Sequence, residues 1–187
     1  MSAMVLTPEI KYIISVCSCD KMKRNEVIPM ELRKVDDKNL WQIIKLSVKE
    51  DQKHFVATNT QSILQAYTTI TSGGIALPFG LYEEDELVGF VMFGFDGYEE
   101  GDPEYIRGSY GLWRFMIDEN YQGKGYGRKA MEACLEYIRS FPCGEAEYCW
   151  LSYEPENTAA KKLYNSFGFQ ETGDVVGGEV ISLLKLK

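Results

Sequence analysis

Residues 122–127 read Gln-Gly-Lys-Gly-Tyr-Gly, and this is the first stretch whose residue types and spacing could do chemistry. Gly123, Gly125 and Gly127 let the backbone turn tightly and leave its N–H groups uncovered. An apolar and aromatic run, residues 110–117, precedes the loop and ends at Asp118. A helix starting at about Gly127 follows, with Ala130, Met131, Cys134, Leu135 and Ile138 on one face. Its first turn adds free N–H groups and the positive end of its dipole. Strand, glycine loop and helix start together form a cradle for a phosphate or pyrophosphate. A plain Gly-rich turn explains the loop alone equally well. Two common phosphate motifs do not fit: Lys124 is followed by Gly125 rather than Ser or Thr, and the glycine spacing is G-x-G-x-G rather than G-x-G-x-x-G.

A second constellation lies in PENTAAKKLYNSFGF, where Tyr164 follows Asn157 by seven residues. Seven residues are about two helical turns, so the two side chains share nearly one face. Asn is a good N-cap, and capping alone would account for Asn157. A tyrosine on an amphipathic helix usually packs against the core.

Taken together, Gln122-x-x-Gly125-x-Gly127 after an apolar strand, and Asn157 with Tyr164 in a later helix, resemble the acetyl-CoA motifs of the GNAT superfamily of N-acetyltransferases. The resemblance runs from about Met30 to the C-terminus. Within the superfamily, LSYEPEN and QGKGYG look like the bacterial spermine/spermidine acetyltransferases. The resemblance implies a GNAT fold, a mixed and mostly antiparallel sheet with helices on both faces and a splayed central strand pair. It implies acetyl-CoA between those strands, with the backbone of Phe115, Met116 and Ile117 meeting the pantetheine arm and thioester. Gln122, Gly123, Lys124, Gly125, Tyr126 and Gly127 would hold the pyrophosphate, although an exposed lysine on a turn is the simpler account of Lys124. Asn157 would contact the cofactor, and Tyr164 would be the general acid toward the leaving thiolate. The implied reaction is direct acetyl transfer to a primary amine, with a polyamine such as spermine or spermidine as the leading acceptor. Another amine (amino sugar, amino acid or protein amine) and a non-catalytic acyl-CoA sensor are the alternatives. Relatives are often dimers, so a homodimer is a further expectation.

The chemistry sets two demands. A thiolate of pKa near 8.5 is a weaker base than a tyrosinate near 10, so full proton transfer from an unperturbed Tyr164 runs uphill by about 2 kcal/mol. A strong hydrogen bond to sulfur serves as well. An alkylammonium near 10.4 is neutral about once in 2,500 molecules at pH 7, a cost of roughly 4.6 kcal/mol. A base, a water relay or desolvation must offset it. No carboxylate stands out: Ser152 occupies the strand position where some relatives carry Glu, and Cys149 is the one cysteine to watch as a nucleophile. For a polyamine, Glu50, Asp51, Phe55, Glu83, Glu84, Glu99 and Glu100 are available, though each is also an ordinary solvated residue.

Composition narrows the partners. With 28 acidic and 20 basic residues and a net charge of −8, nucleic acid is an unfavourable partner, whereas a polycation would be attracted. Five scattered cysteines and one histidine make no zinc set, and reduced thiols fit a cytoplasmic protein. No apolar run approaches a membrane span. Residues 1–29 are unlike the rest and are read as an extension, leaving residues 30–187 as one acetyltransferase domain.

The remaining elements must position these groups. A strand is expected at residues 30–35, then a helix capped by Asp36 or Asp37 and burying Leu40, Ile43, Ile44 and Val48. A second helix over residues 61–70 uses Ile63, Leu64, Tyr67 and Ile70. A hairpin follows over residues 76–82 and 87–95, with further strands at residues 110–118, 147–153, 169–172 and 180–186. The order reads as an α/β architecture.

Overall fold

Seven strands build one sheet in the computed structural model, which describes residues 29–187. The expected N-terminal extension, Pro29 apart, lies outside the described residues. The strands are β1 (Glu31–Lys34), β2 (Ile75–Glu83), β3 (Glu86–Phe95), β4 (Tyr110–Ile117), β5 (Tyr148–Tyr153), β6 (Gln170–Val176) and β7 (Glu179–Lys185). Their order is β1-β2-β3-β4-β5-β7-β6, antiparallel everywhere except between β4 and β5. The helices are α1 (Leu40–Ile43), α2 (Asn59–Thr71), α3 (Tyr126–Arg139) and α4 (Thr158–Ser166). No helix of the described residues is long and apolar enough to cross a membrane.

The period-two alternation of β2 and β3 gives the sheet two cores. On one face Phe79, Leu81, Val91 and Phe93 pack with Ala130, Met131, Cys134, Leu135 and Ile138 of α3 and with Tyr164 of α4. On the other face Ala76, Phe90, Met92 and Met116 pack with Ile43 of α1 and Ala66 of α2. The buried stripe of α3 fits the spacing read from the sequence. Each large apolar side chain so buried contributes about 1.5–3 kcal/mol relative to exposure.

The first two helices differ from expectation. α1 is a single turn, and Asp36 does not cap it; its carboxylate accepts from the N–H groups of Lys38 and Asn39, a local turn that competes with helix. α2 starts earlier than expected because Thr58 and Gln61 form a capping box. Its sheet-facing side is Asn59, Ser62 and Ala66, while Leu64, Tyr67 and Ile70 are exposed. Small residues let the helix approach the sheet closely, and that contact overrides the apolar periodicity.

The sheet is forked at its centre. Between β3 and β4 the register passes from Met92↔Arg114 to Phe93↔Leu112, so Trp113 is an extra residue, a bulge that bends β4. β4 and β5 pair only at Tyr110↔Cys149 and Gly111↔Trp150. Beyond that point they part, and among the described residues the edge of β4 that faces β5 has no strand partner.

Candidate active site

The fork opens a cleft of about 510 Å³. Its walls are Leu112 to Ile117 of β4, Ser152 and Tyr153 of β5, Asn157, Leu163 and Tyr164 around α4, and Glu179 at the head of β7. His54, Phe55 and Val56, from the connection into α2, line it as well. Gln122, Gly123 and Gly127 line the end nearest α3. Past Gly111, the β5-facing edge of β4 has no ladder partner among the described residues, and backbone groups on such an edge need hydrogen-bonding partners.

At the cradle, Gly123 and Gly125 have φ of 76° and 86°. A Cβ at either would meet nothing within 4 Å, so conformation rather than space asks for glycine. Gly125 is the N-cap of α3 and offers no side-chain cap. The backbone N–H groups of residues 122–127 donate to no other described residue. An open nest of donors at a helix start fits a pyrophosphate.

The side chains around it serve other ends. Gln122 donates through Nε2 to the Gln52 side chain at 2.8 Å and to the Ile117 carbonyl at 3.0 Å, pinning the loop to the end of β4. Lys124 donates to the Asn120 carbonyl at 2.8 Å on the exposed side. Tyr126 packs edge-on against Tyr121. Of the residues singled out in the sequence, Phe115, Met116, Ile117, Gln122, Gly123, Gly127, Asn157 and Tyr164 line the one cleft, whereas Lys124, Gly125 and Tyr126 lie outside its lining.

Asp118 ends β4 and is buried. Its carboxylate accepts from the Ser47 N–H at 2.9 Å and from the Asn120 N–H at 3.0 Å, tying the loop after α1 to the loop before the cradle. Asn157 caps α4, accepting from the Ala160 N–H at 3.1 Å, and borders the cleft at the same time. Tyr164 is buried between the rings of Tyr153 and Phe169, at centroid distances of 5.7 and 6.0 Å. Burial, with smaller contributions from Cys134, Tyr153 and Glu179, raises its phenol well above the ordinary tyrosine value. The group is therefore a protonated donor at neutral pH.

Cys149 is no nucleophile. It lies in the core against α3, outside the cleft lining, and burial pushes its thiol up to about 12. Thiolate is the reactive form, and it is scarce there. Among the described residues no group of His, Cys, Asp and Glu could hold a metal ion.

The acceptor side differs most from expectation. Phe55 lines the cleft, but Glu50, Asp51, Glu83, Glu84, Glu99 and Glu100 do not. Two charged residues that the sequence had not singled out as acceptor-site groups line it instead. Arg114 donates to the Trp113 carbonyl at 2.7 Å and the Gln65 side chain at 2.9 Å, while its Nε is buried without a partner among the described residues. Burial lowers its pKa and Glu179 opposes that shift. Glu179 accepts a hydrogen bond from the Ser152 hydroxyl. Its only sequence signal is a lone acid heading the apolar strand EVISLL after Gly177-Gly178.

Comparison with known proteins adds to this geometry. Residues 40–169 match the profile of the acetyltransferase (GNAT) family. Spermine/spermidine N(1)-acetyltransferase of Bacillus subtilis strain 168 is 32% identical over 159 residues, 84% of this chain and 99% of that protein. The crystal structure of aminoglycoside acetyltransferase AAC(6')-Ib with coenzyme A superposes with a TM-score of 0.66 at 19% identity, covering 83% of this chain and 94% of that one. An N-acetyltransferase from Thermoplasma acidophilum, also solved with coenzyme A, gives 0.57 at 16% identity over 83% and 98%. These two likenesses bear on the fold, whereas the profile and the Bacillus relative bear on descent. A forked central strand pair, a donor-lined glycine loop and a profile match across most of the chain lead to one assignment: this is a GNAT-family N-acetyltransferase.

Proposed function

We propose that the protein transfers the acetyl group of acetyl-CoA directly to a primary amine, and that the amine is a polyamine such as spermine or spermidine. The observation that carries the reading is the single cleft joining the uncovered N–H groups of the glycine loop to the buried Tyr164. Acetyl-CoA supplies an activated thioester. The loop N–H groups and the dipole of α3 hold its pyrophosphate, and the edge of Phe115, Met116 and Ile117 turned away from β3 aligns the pantetheine arm as a further strand would. A backbone N–H of β4 polarises the thioester carbonyl. Tyr164 donates a hydrogen bond to the departing sulfur; with its pKa raised, full transfer is more uphill than for a free tyrosine. Direct transfer through a ternary complex fits a cleft lined, among the described residues, by no cysteine.

Support for a polyamine comes from the Bacillus relative and from the net charge of −8. Phe55 and Trp113 offer apolar surface for a methylene stem. A second reading is an amine that also carries an acid group, such as an amino acid, favoured by the presence of the Arg114 guanidinium in the cleft lining. Release of free thiol from acetyl-CoA, measured with spermine, spermidine, lysine and an aminoglycoside, separates the two. The polyamine reading expects release with spermine and spermidine, and a flat response to both removes it.

A further inference from the structure

Among the described residues, Glu179 is the only carboxylate lining the cleft. It heads β7, one residue before Val180, which pairs with Tyr153 at the end of β5. Its side chain shares a face with Ser152, whose register partner is Ile181, two residues further along. The Ser152 hydroxyl donates to Oε2 of Glu179, which fixes the carboxylate, while Oε1 accepts from no described residue. Arg114, which also lines the cleft, bonds to the Trp113 carbonyl and to Gln65 of α2.

We propose that Glu179, oriented by Ser152, anchors the acceptor ammonium and takes its proton. This rests on the acetyl-transfer reading above and adds the base that it lacks. Oε1 receives one proton from the ammonium, leaving a neutral amine. The nitrogen lone pair then forms the N–C bond as the C–S bond breaks, and the sulfur leaves as a thiolate hydrogen-bonded to the Tyr164 hydroxyl. The second proton lost by nitrogen passes to that thiolate, and Glu179 returns its proton to solvent. The balance is one amide, one free thiol and one proton released. Glu179 also exerts a field on both Tyr164 and Arg114, as expected of a carboxylate at the reacting end of the cleft.

Glu179→Gln tests this, because the amide keeps the size of the side chain and still accepts from Ser152. Relative kcat/KM is measured against primary amines of falling basicity, from spermidine to trifluoroethylamine, with coenzyme A affinity measured by calorimetry. The expected result is a loss of about 10²-fold or more for spermidine, shrinking to a few-fold for the amine already neutral at the assay pH. Coenzyme A affinity should be unchanged. An equal loss for every amine, or a loss under about threefold for all of them, overturns the proposal. If the wild type ignores spermidine but acetylates another basic amine, the polyamine reading fails and Glu179 is judged on that amine. If the variant does not fold, Ser152→Ala carries the same comparison, with a smaller loss that must again follow basicity.

Discussion

Gly111 of β4 lies against the indole of Trp150 of β5, its register partner at the last paired point of these two strands; a Cβ there would come within 3.0 Å of the ring. The fork starts at this contact, where the glycine lets β4 lie close against the indole. Gly111→Val should push the indole aside, destabilise the fold by about 1–3 kcal/mol and raise KM for acetyl-CoA more than it lowers kcat. Urea denaturation and steady-state kinetics check both parts.

Tyr164→Phe removes the hydroxyl and leaves the packing against Tyr153 and Phe169. Turnover should fall on the order of 10²-fold while coenzyme A affinity stays within about twofold. Equal losses in both, or no loss in either, would count against a role for the hydroxyl in turnover.

The raised pKa of Tyr164 fixes the sign of its pH dependence. The folded state holds the phenolic proton more tightly than the unfolded state, whose value is near 10. Its contribution to stability is therefore complete below about pH 10 and is lost as the pH rises above that. Tyr164 should add no alkaline limb to kcat below about pH 10, and an alkaline stability scan of Tyr164→Phe should lack part of the wild-type slope.

Asp118→Ala strands the N–H groups of Ser47 and Asn120 at a partly buried junction. Each such loss is worth about 1–3 kcal/mol, so thermal unfolding should shift down clearly. The cradle, released from the loop after α1, should also bind coenzyme A more weakly.

How much of this could be read beforehand depended on whether neighbours in sequence were also neighbours in space. The strand, glycine loop and helix over residues 110–139 form one continuous supersecondary unit, so their pattern was plain in the chain. Asn157 and Tyr164 were legible for the same reason, lying on one face of one helix. The fork itself was expected only through family resemblance, because a parallel pairing of two residues leaves no periodic trace. Glu179 was missed since its partner Ser152 is 27 residues away on another strand. The outward face of α2 departs from its apolar periodicity: Asn59, Ser62 and Ala66 take the buried side and leave Leu64, Tyr67 and Ile70 exposed.

The central claim is that this one cleft moves acetyl groups onto a primary amine, and thiol release from acetyl-CoA with the purified chain tests it most directly. The account predicts release that requires an added amine, is fastest with spermine or spermidine, and falls on the order of 10²-fold in Tyr164→Phe. Release that is absent with every amine, or that is indifferent to Tyr164, would contradict it.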